Sequence, residues 1–453
     1  MQLKNTLWAG LALLSAALWA PQANAIPAFA RQVGMACSAC HYQHFPVLNS
    51  FGRAFKEGGY TMIGAQEKIE DTTPPGVSIP AVLNAALVGY VQEQKTNGDG
   101  TVSAGAPTTA TTKTTNNGSL QIPQQVSLFI AGRAGEHTGF EAEINLTPGT
   151  GGTGTGGAGL IRYKVPFVYD VGNVKAGVVP FSTPLGAADS FEVMNTGAVA
   201  VHAFNQSVIT GATTGGIQVI SAQQYIGTNS LASGVAFIAS NDNFFANVAK
   251  WGANTGAGNS GSPTSNYLRA AWTTSAINGF DSAIGFQVWN GTSASPAATL
   301  PITGVVDTKA TAIDAQMMGD VGGMPLLLIA SYANAPASSG TNPNLFNGNG
   351  LSKKSLNFGA ELGVIPSVAT LQLGLRHANS GSPVDTVNIA SGNATDNAIM
   401  IGATYSIALN IRAELTFTKA SGDMYNAANA AAAAAAGTYL GTNLTTIDVA
   451  FAF

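Results

Sequence analysis

Charge is what this chain has least of. Lys, Arg, Asp and Glu together supply 9% of its 453 residues, where an ordinary soluble domain has about 25%. The formal net charge is only −4, and no basic stretch suited to nucleic acid occurs. Cysteine is nearly missing: there are two, Cys37 and Cys40. Long apolar runs are missing too. Beyond residue 25 nothing reaches the roughly 18 consecutive apolar residues of a spanning helix, which excludes a helical membrane protein. A weakly charged chain with 54 glycines and a mean hydropathy of +0.19 is odd for a soluble enzyme of this size. It points to β-structure, either in lipid or in a secreted domain.

The start of the chain says which compartment. Lys4 gives a positive beginning, Leu7 to Ala20 an apolar stretch, and Ala23-Asn24-Ala25 a small-residue cleavage site, the three parts of a secretory signal. Residues 1–25 are therefore expected to be a signal peptide, with the mature chain beginning at Ile26. Residues 26–75 carry both cysteines and a helical pattern. Pro46 is placed to start a helix, Leu48, Phe51 and Phe55 recur on one face, and Gly58 and Gly59 stop it. Thr72-Thr73-Pro74-Pro75-Gly76 reads as the linker.

Over 76–453 the period changes to two. Phe140, Ala142, Ile144 and Leu146 alternate with Glu141, Glu143 and Asn145. Leu409, Ile411, Ala413, Leu415 and Phe417 alternate with Asn410, Arg412, Glu414 and Thr416. In a soluble sandwich the apolar face turns to a shared core; in a membrane barrel it turns to lipid and the polar face to a watery lumen. Connection lengths separate the two. Short turns are expected near Gly172, Asn241, Asn278, Gly322, Pro366 and Ile407, and long polar links near 148–159, 253–265, 291–307, 334–354, 378–394 and 420–443. Short and long links alternate, as in an up-and-down barrel with tight periplasmic turns, which puts both termini on the periplasmic side; a Greek-key sandwich lacks that regularity. The fold class expected is all-β, a transmembrane antiparallel barrel behind a small N-terminal helical domain. The strand count comes to about eighteen, or sixteen if a poorly patterned pair in 196–225 is discounted, since the number must be even. The run Ala430 to Ala436 falls in the last long link. Ile447, Val449, Phe451 and Phe453 form a last strand that ends on a terminal aromatic, resembling the closing strand of outer-membrane proteins.

The chemistry sits in Cys37-Ser38-Ala39-Cys40-His41. C-x-x-C-H attaches haem because two thiols at this spacing reach the two vinyl groups on one porphyrin edge while the adjacent imidazole coordinates the iron. Zinc lacks a second Cys pair here, a thioredoxin-type motif lacks its βαβ context, and a plain disulfide gives His41 nothing to do. One covalently bound haem c is expected, with His41 as axial ligand. Met62, 21 positions after His41, is the candidate second axial ligand, with core packing as the alternative; Met35 and His44 lie too near the proximal side. Arg53 and Lys56 suit haem propionates, or solvent on the outer face of the helix.

The segment Pro27-Ala28-Phe29-Ala30-Arg31-Gln32, Gly34, the Cys37 to His41 motif, Phe45-Pro46-Val47-Leu48-Asn49, Phe51-Gly52-Arg53-Ala54-Phe55-Lys56 and Gly59-Tyr60-Thr61 resembles the signature of the fused cytochrome-porins of iron-oxidising bacteria. The resemblance is detailed over this stretch alone; the barrel is similar in architecture, not in motifs. It implies an outer-membrane iron(II) oxidase with one haem on Cys37, Cys40 and His41, extracellular iron(II) as donor, and periplasmic cytochrome c as acceptor. The expected location is the outer-membrane lipid, with the N-terminal domain plugging the barrel. Inward carboxylates such as Glu141, Glu143 and Glu414 suit a hard cation, and equally the polarity of a lumen. Two rivals are a diffusion porin gated by the haem domain and a conduit for a donor other than iron.

Overall fold

The structure is a computed structural model and describes residues 28–64, 66–71, 78–97, 118–147, 159–183, 186–196, 217, 219–254, 262–277, 279–295, 304–339, 343–385, 388–408, 410–426 and 441–453. The expected signal peptide, the linker over 72–76 and the alanine run lie outside them.

Sixteen antiparallel strands close into a barrel. In chain order they are β1 (Ala85–Thr96), β2 (Gly118–Arg133), β3 (Gly139–Asn145), β4 (Gly159–Lys164 and Phe167–Val171), β5 (Val174–Thr183), β6 (Ala232–Asn241), β7 (Phe244–Ala253) and β8 (Ser265–Ile277). There follow β9 (Phe280–Asn290), β10 (Ala310–Val321), β11 (Met324–Ala335), β12 (Lys353–Ile365), β13 (Ala369–Asp385), β14 (Asn388–Ala408), β15 (Ile411–Ser421) and β16 (Asn443–Ala452). β4 is one strand in two pieces, both paired with β5. The break falls at Val165-Pro166, because proline has no N–H to give the ladder. The ring closes where Leu444 to Ala452 pair with Thr96 to Val88, and Leu87 and Phe453 exchange both backbone hydrogen bonds at 2.8 Å. Gly89 makes room for this seam, since a Cβ there would stand 2.3 Å from the Phe451 ring.

Burial shows which way the strands face. Along β15, Glu414, Thr416 and Thr418 are at most 4% exposed, while Leu415 and Phe417 are 52% and 41% exposed. β14 repeats it, with Met400 buried between exposed Ile399 and Ile401, and β10 likewise, with Asp314 buried beside exposed Ile313. In water this pattern is inverted, because charges are hidden and large apolar side chains displayed. In lipid it is the one that works.

Of the two strand counts expected, sixteen is the one the barrel has. The described residues of the doubtful stretch, 196, 217 and 219–225, form no barrel strand: Ile217, Val219 and Ile220 lead into helix α3 (Ala222–Ile226, capped by Ser221), and residues 186–196 before them are buried throughout in the lumen. A segment enclosed on every side has no reason to alternate, so its pattern was bound to look poor. The long link over 378–394 is corrected, since β13 and β14 run through it as one projecting hairpin.

Residues 28–64 enter the lumen at the short-turn end, where β1 begins and β16 ends. They hold α1 (Ala28–Val33) and α2 (Ser50–Glu57). The expected start at Pro46 is early by four residues, because Asn49 is the cap: its side-chain oxygen accepts from Gly52 N. α2 does end at Gly58 and Gly59, the latter at φ 68°. Gln32 staples the segment shut and ties it to the wall, its Nε2 donating to Tyr60 O (2.7 Å) and Met62 O (2.6 Å) and its Oε1 accepting from Arg133 N (2.9 Å). Arg53 grips Asp281 through both carboxylate oxygens at 2.7 and 2.6 Å. Phe29, Phe55 and Tyr60 stack together and reach Phe191 of the inner segment, so plug, inner segment and wall share one apolar cluster.

Phe237 lies mid-strand on the outer face, with Val178 and Val248 as its cross-strand partners. Phe237→Lys is expected to destabilise the barrel by about 2–4 kcal/mol in bilayers, measured by denaturant unfolding in lipid vesicles; an unchanged midpoint would remove this face from the membrane.

Candidate functional site

The Cys37–His41 string folds as a single 3-10 turn over Cys37–Ala39, with Cys40 N and His41 N both donating to Cys37 O. The chain then doubles back: Tyr42 N donates to Val47 O (2.8 Å), and Asn49 N to Cys40 O (2.9 Å). Asn49 does two jobs at once. Besides capping α2, its Nδ2 donates to Ala39 O at 2.9 Å, so the helix start and the cysteine loop are one unit. Gly52 lets them touch, since a Cβ there would stand 2.2 Å from Cys40 O.

Cys37 and Cys40 are not joined to each other, and partial burial pushes both thiols above their ordinary range. Burial also lowers the His41 imidazole to about 4, the carbonyls of Pro46 and Val47 pulling the other way and His44 adding to the fall. His41 is thus neutral at physiological pH, the form that ligates a metal. Among the described residues its Nδ1 is buried without a hydrogen-bond partner. Phe45 packs edge-on to the imidazole at 5.3 Å, and Met35 and Phe45, 40% and 45% exposed, flank the loop with apolar surface open to solvent. Free thiols at this spacing, a neutral imidazole and an uncovered apolar rim fit a haem c.

The loop is bolted to the barrel. His44 Nε2 is 2.6 Å from Glu361 Oε1 on β12, with both side chains buried. Arg412 on β15 reaches His44 Nδ1 and donates to Phe45 O at 2.6 Å. Tyr42 OH donates to Gly319 O at 2.5 Å on β10. Leu48 is held through N and O by the side chain of Asn195, whose own N donates to Gln316 on β10. Sequence reasoning missed this clamp. Glu361 and Arg412 are legible as inward positions of their strands, but nothing in a period of two names their partners.

Met62 lines a cleft of about 540 Å³ with Ala54, Phe55, Gly58 and Ile63, and Cys37, Cys40 and His41 are not among the residues that line it. Arg53 is spent on Asp281. Lys56 faces the lumen, 5.6 Å from the Phe191 ring, and burial lowers it to about 8, with Lys164 acting in the same sense and Asp189, Glu141 and Glu192 opposing. Glu141 and Glu143 pair with Arg162 at 3.4 and 2.8 Å. Glu414 lies 3.7 Å from Arg412.

No family model and no curated protein matches the chain. Among solved structures it is similar to OmpT of Vibrio cholerae in its trimer form (10% identity, TM-score 0.47, covering 82% of this chain and 99% of that one). It is also similar to Salmonella typhi OmpF in complex with daunomycin (11%, 0.46, 85% and 100%), and to the outer membrane channel DcaP of Acinetobacter baumannii (13%, 0.45, 82% and 98%).

Two outcomes follow from the loop geometry. Gly52→Ala must push Cys40 off α2, so any covalent haem staining that the parent protein shows after denaturing electrophoresis should fall sharply while the barrel still folds; unchanged staining would show the contact to be slack. In a haem-free Cys37→Ser/Cys40→Ser protein, the depressed His41 makes the folded loop bind fewer protons than the unfolded chain between about pH 4 and 6.5. Its stability is whole above that window and is lost as pH falls through it. Amide exchange over 37–49, corrected for intrinsic rates, should quicken on acidification, and His41→Gln should weaken that dependence.

Proposed function

We propose that this chain is an outer-membrane electron conduit that oxidises extracellular iron(II) at a single c-type haem and passes the electrons to periplasmic cytochrome c. The observation that supports it is the bolting of the Cys37–His41 loop to β10, β12 and β15 at the short-turn end of a lipid-facing barrel. In outer-membrane barrels the short turns face the periplasm, which puts the loop within reach of a periplasmic acceptor and the lumen between it and the outside.

Haem c, when bound, supplies reversible one-electron exchange at its iron. The chain supplies the rest. Cys37 and Cys40 would hold the group by thioether bonds formed from their thiols and its two vinyls, and His41 would offer a neutral imidazole. Met35 and Phe45 would offer apolar surface to it, and the Tyr42, His44 and Phe45 contacts fix the loop's orientation to the wall. The plug and the inner segment, packed on each other through Tyr60 and Phe191, oppose bulk flow. That favours a conduit over a diffusion porin. Iron(III) hydrolyses and precipitates near neutral pH, so a cell gains by taking in the electron and leaving the product outside.

Anaerobic addition of iron(II) to the oxidised, purified holoprotein should produce the ferrous haem spectrum, and liposomes carrying the protein should not swell in small sugars. Haem that stays ferric with iron(II) but is reduced by dithionite defeats iron oxidation; swelling at porin rates defeats the plug.

A further inference from the structure

The barrel sorts its cations by kind. The five arginines of its described strands turn to the lumen or the plug. Arg162, Arg269 and Arg376 pair with Glu143, Asp314 and Asp396, while Arg133 and Arg412 donate to Thr61 O and Phe45 O of the plug. Four lysines do the opposite. Lys95, Lys250, Lys354 and Lys419 are exposed, and their strand neighbours Gln94, Trp251, Ser355 and Thr418 are at most 1% exposed, so alternation puts all four on the outer face. Each lies within three residues of the end of its strand that leads into a long link. The described lysines that form ion pairs are others: Lys68, Lys164, Lys175 and Lys309.

Depth in the membrane accounts for this placing. A cation on the lipid face of a barrel costs about 2–4 kcal/mol at the bilayer midplane and about 0–1 kcal/mol near the interface. A lysine at the rim also has a stem long enough to lay along apolar neighbours while its ammonium reaches the headgroups. On this face, at this height, headgroups are what an ammonium meets.

Lys354 has the most developed surroundings of the four. Lys353 before it turns inward, 5.2 Å from the Tyr225 ring, and Lys354 turns out. Its cross-strand partners are Asn334 on β11 and Asn379 on β13, and the next outward level down holds Tyr332, Leu356 and His377. Direct cross-strand neighbours have Cβ atoms about 4.5–5.5 Å apart, so an amide side chain flanks the ammonium on each side. Beneath that level the outer face turns apolar, with Phe358 and Leu375 exposed. No carboxylate stands outward along β11, along β12, or along β13 up to Asn379. A compact ammonium between amide groups, with no anion of the protein beside it, suits the oxygens of a phosphate.

We propose that Lys354, Asn334 and Asn379 form a binding site on the outer face for the phosphate of a lipid headgroup. In outer-membrane barrels the longer loops face outside, so the lipid is one of the outer leaflet. The site rests on the lipid-facing barrel and not on the haem. To test it, the purified protein in detergent micelles is titrated with bisphosphorylated lipid A and, separately, with the same lipid stripped of its phosphates, and bound lipid is counted by native mass spectrometry. The phosphorylated lipid alone is expected to bind. Its tightest binding should weaken about fivefold, or roughly 1 kcal/mol, in Lys354→Gln, and persist in Lys354→Arg. Lys68→Gln, which removes an exposed lysine from the short-turn end, should bind as the parent does. The heat-dependent electrophoretic shift of the barrel reports that each variant folds. Equal binding of the two lipids, equal binding by parent and Lys354→Gln, or an equal loss in Lys68→Gln overturns the site.

Discussion

The hydrogen bonds that join β16 to β1 are the constraint from which the rest follows. In lipid no water answers an exposed N–H or C=O, and each one left open costs several kcal/mol. A sheet of this kind therefore has to close. Closure from Leu444 to Ala452 against β1, finished by the Leu87 and Phe453 pair, turns an open sheet into a ring with no edge. It also dictates where every alternate side chain points. Leu415 and Phe417 have to face out, which obliges Glu414, Thr416 and Thr418 to face in.

A ring of sixteen strands is wide enough to leave an aqueous channel, so its interior must be wet or filled. Here two segments fill much of it, and each is held by paired charges reaching in from the wall. Arg269 and Asp314 meet at 2.5 Å with Glu192 of the inner segment 3.1 Å from Arg269, and Tyr225 of α3 donates to Asp396, itself paired with Arg376. Burying such pairs brings little net stability, but breaking one leaves a stranded charge and costs far more. Their effect is to fix where the inner segment sits. The apolar side of that segment, Phe191 and Met194, then offers a surface on which the plug's Phe55 and Tyr60 can pack.

How much of this was legible in the sequence depends on whether the information was local. The alternation of Phe140 to Asn145 and of Ile411 to Phe417 is set by the strand's own period, so the barrel and its facing could be read from it, as could the break of α2 at Gly58 and Gly59. The inner segment could not. Residues 186–196 and 219–226 are shaped by contacts with β7 to β12 rather than by a repeat, and a segment buried all round looks like a badly patterned strand pair. At the candidate site the Cys37, Cys40 and His41 string was plain because its members are adjacent. The pairing of His44 with Glu361 crosses 317 positions, and no local signal announces it. Arg53 shows the same limit: a cation on a short helix near a haem motif suggests a propionate, yet it is Asp281 on β9 that claims it.

The plug has little core to call its own. Its described residues, 28–64, are fewer than the roughly 40 below which a chain usually needs metals, disulfides or a partner to fold alone. Val33, Phe55 and Tyr60 belong to a cluster that runs on through Val168, Phe191 and Phe245. The boundary drawn in sequence between a haem domain and a barrel is therefore not a boundary in packing. The barrel supplies the apolar surface, the Asp281 and Glu361 carboxylates and the Gly319 carbonyl against which the cysteine loop is shaped. Orientation of His41 is then a property of the wall. A haem held there inherits a fixed relation to the lumen that a tethered cytochrome lacks, and the lumen carboxylates Glu361 and Glu414 become part of its electrostatic surroundings.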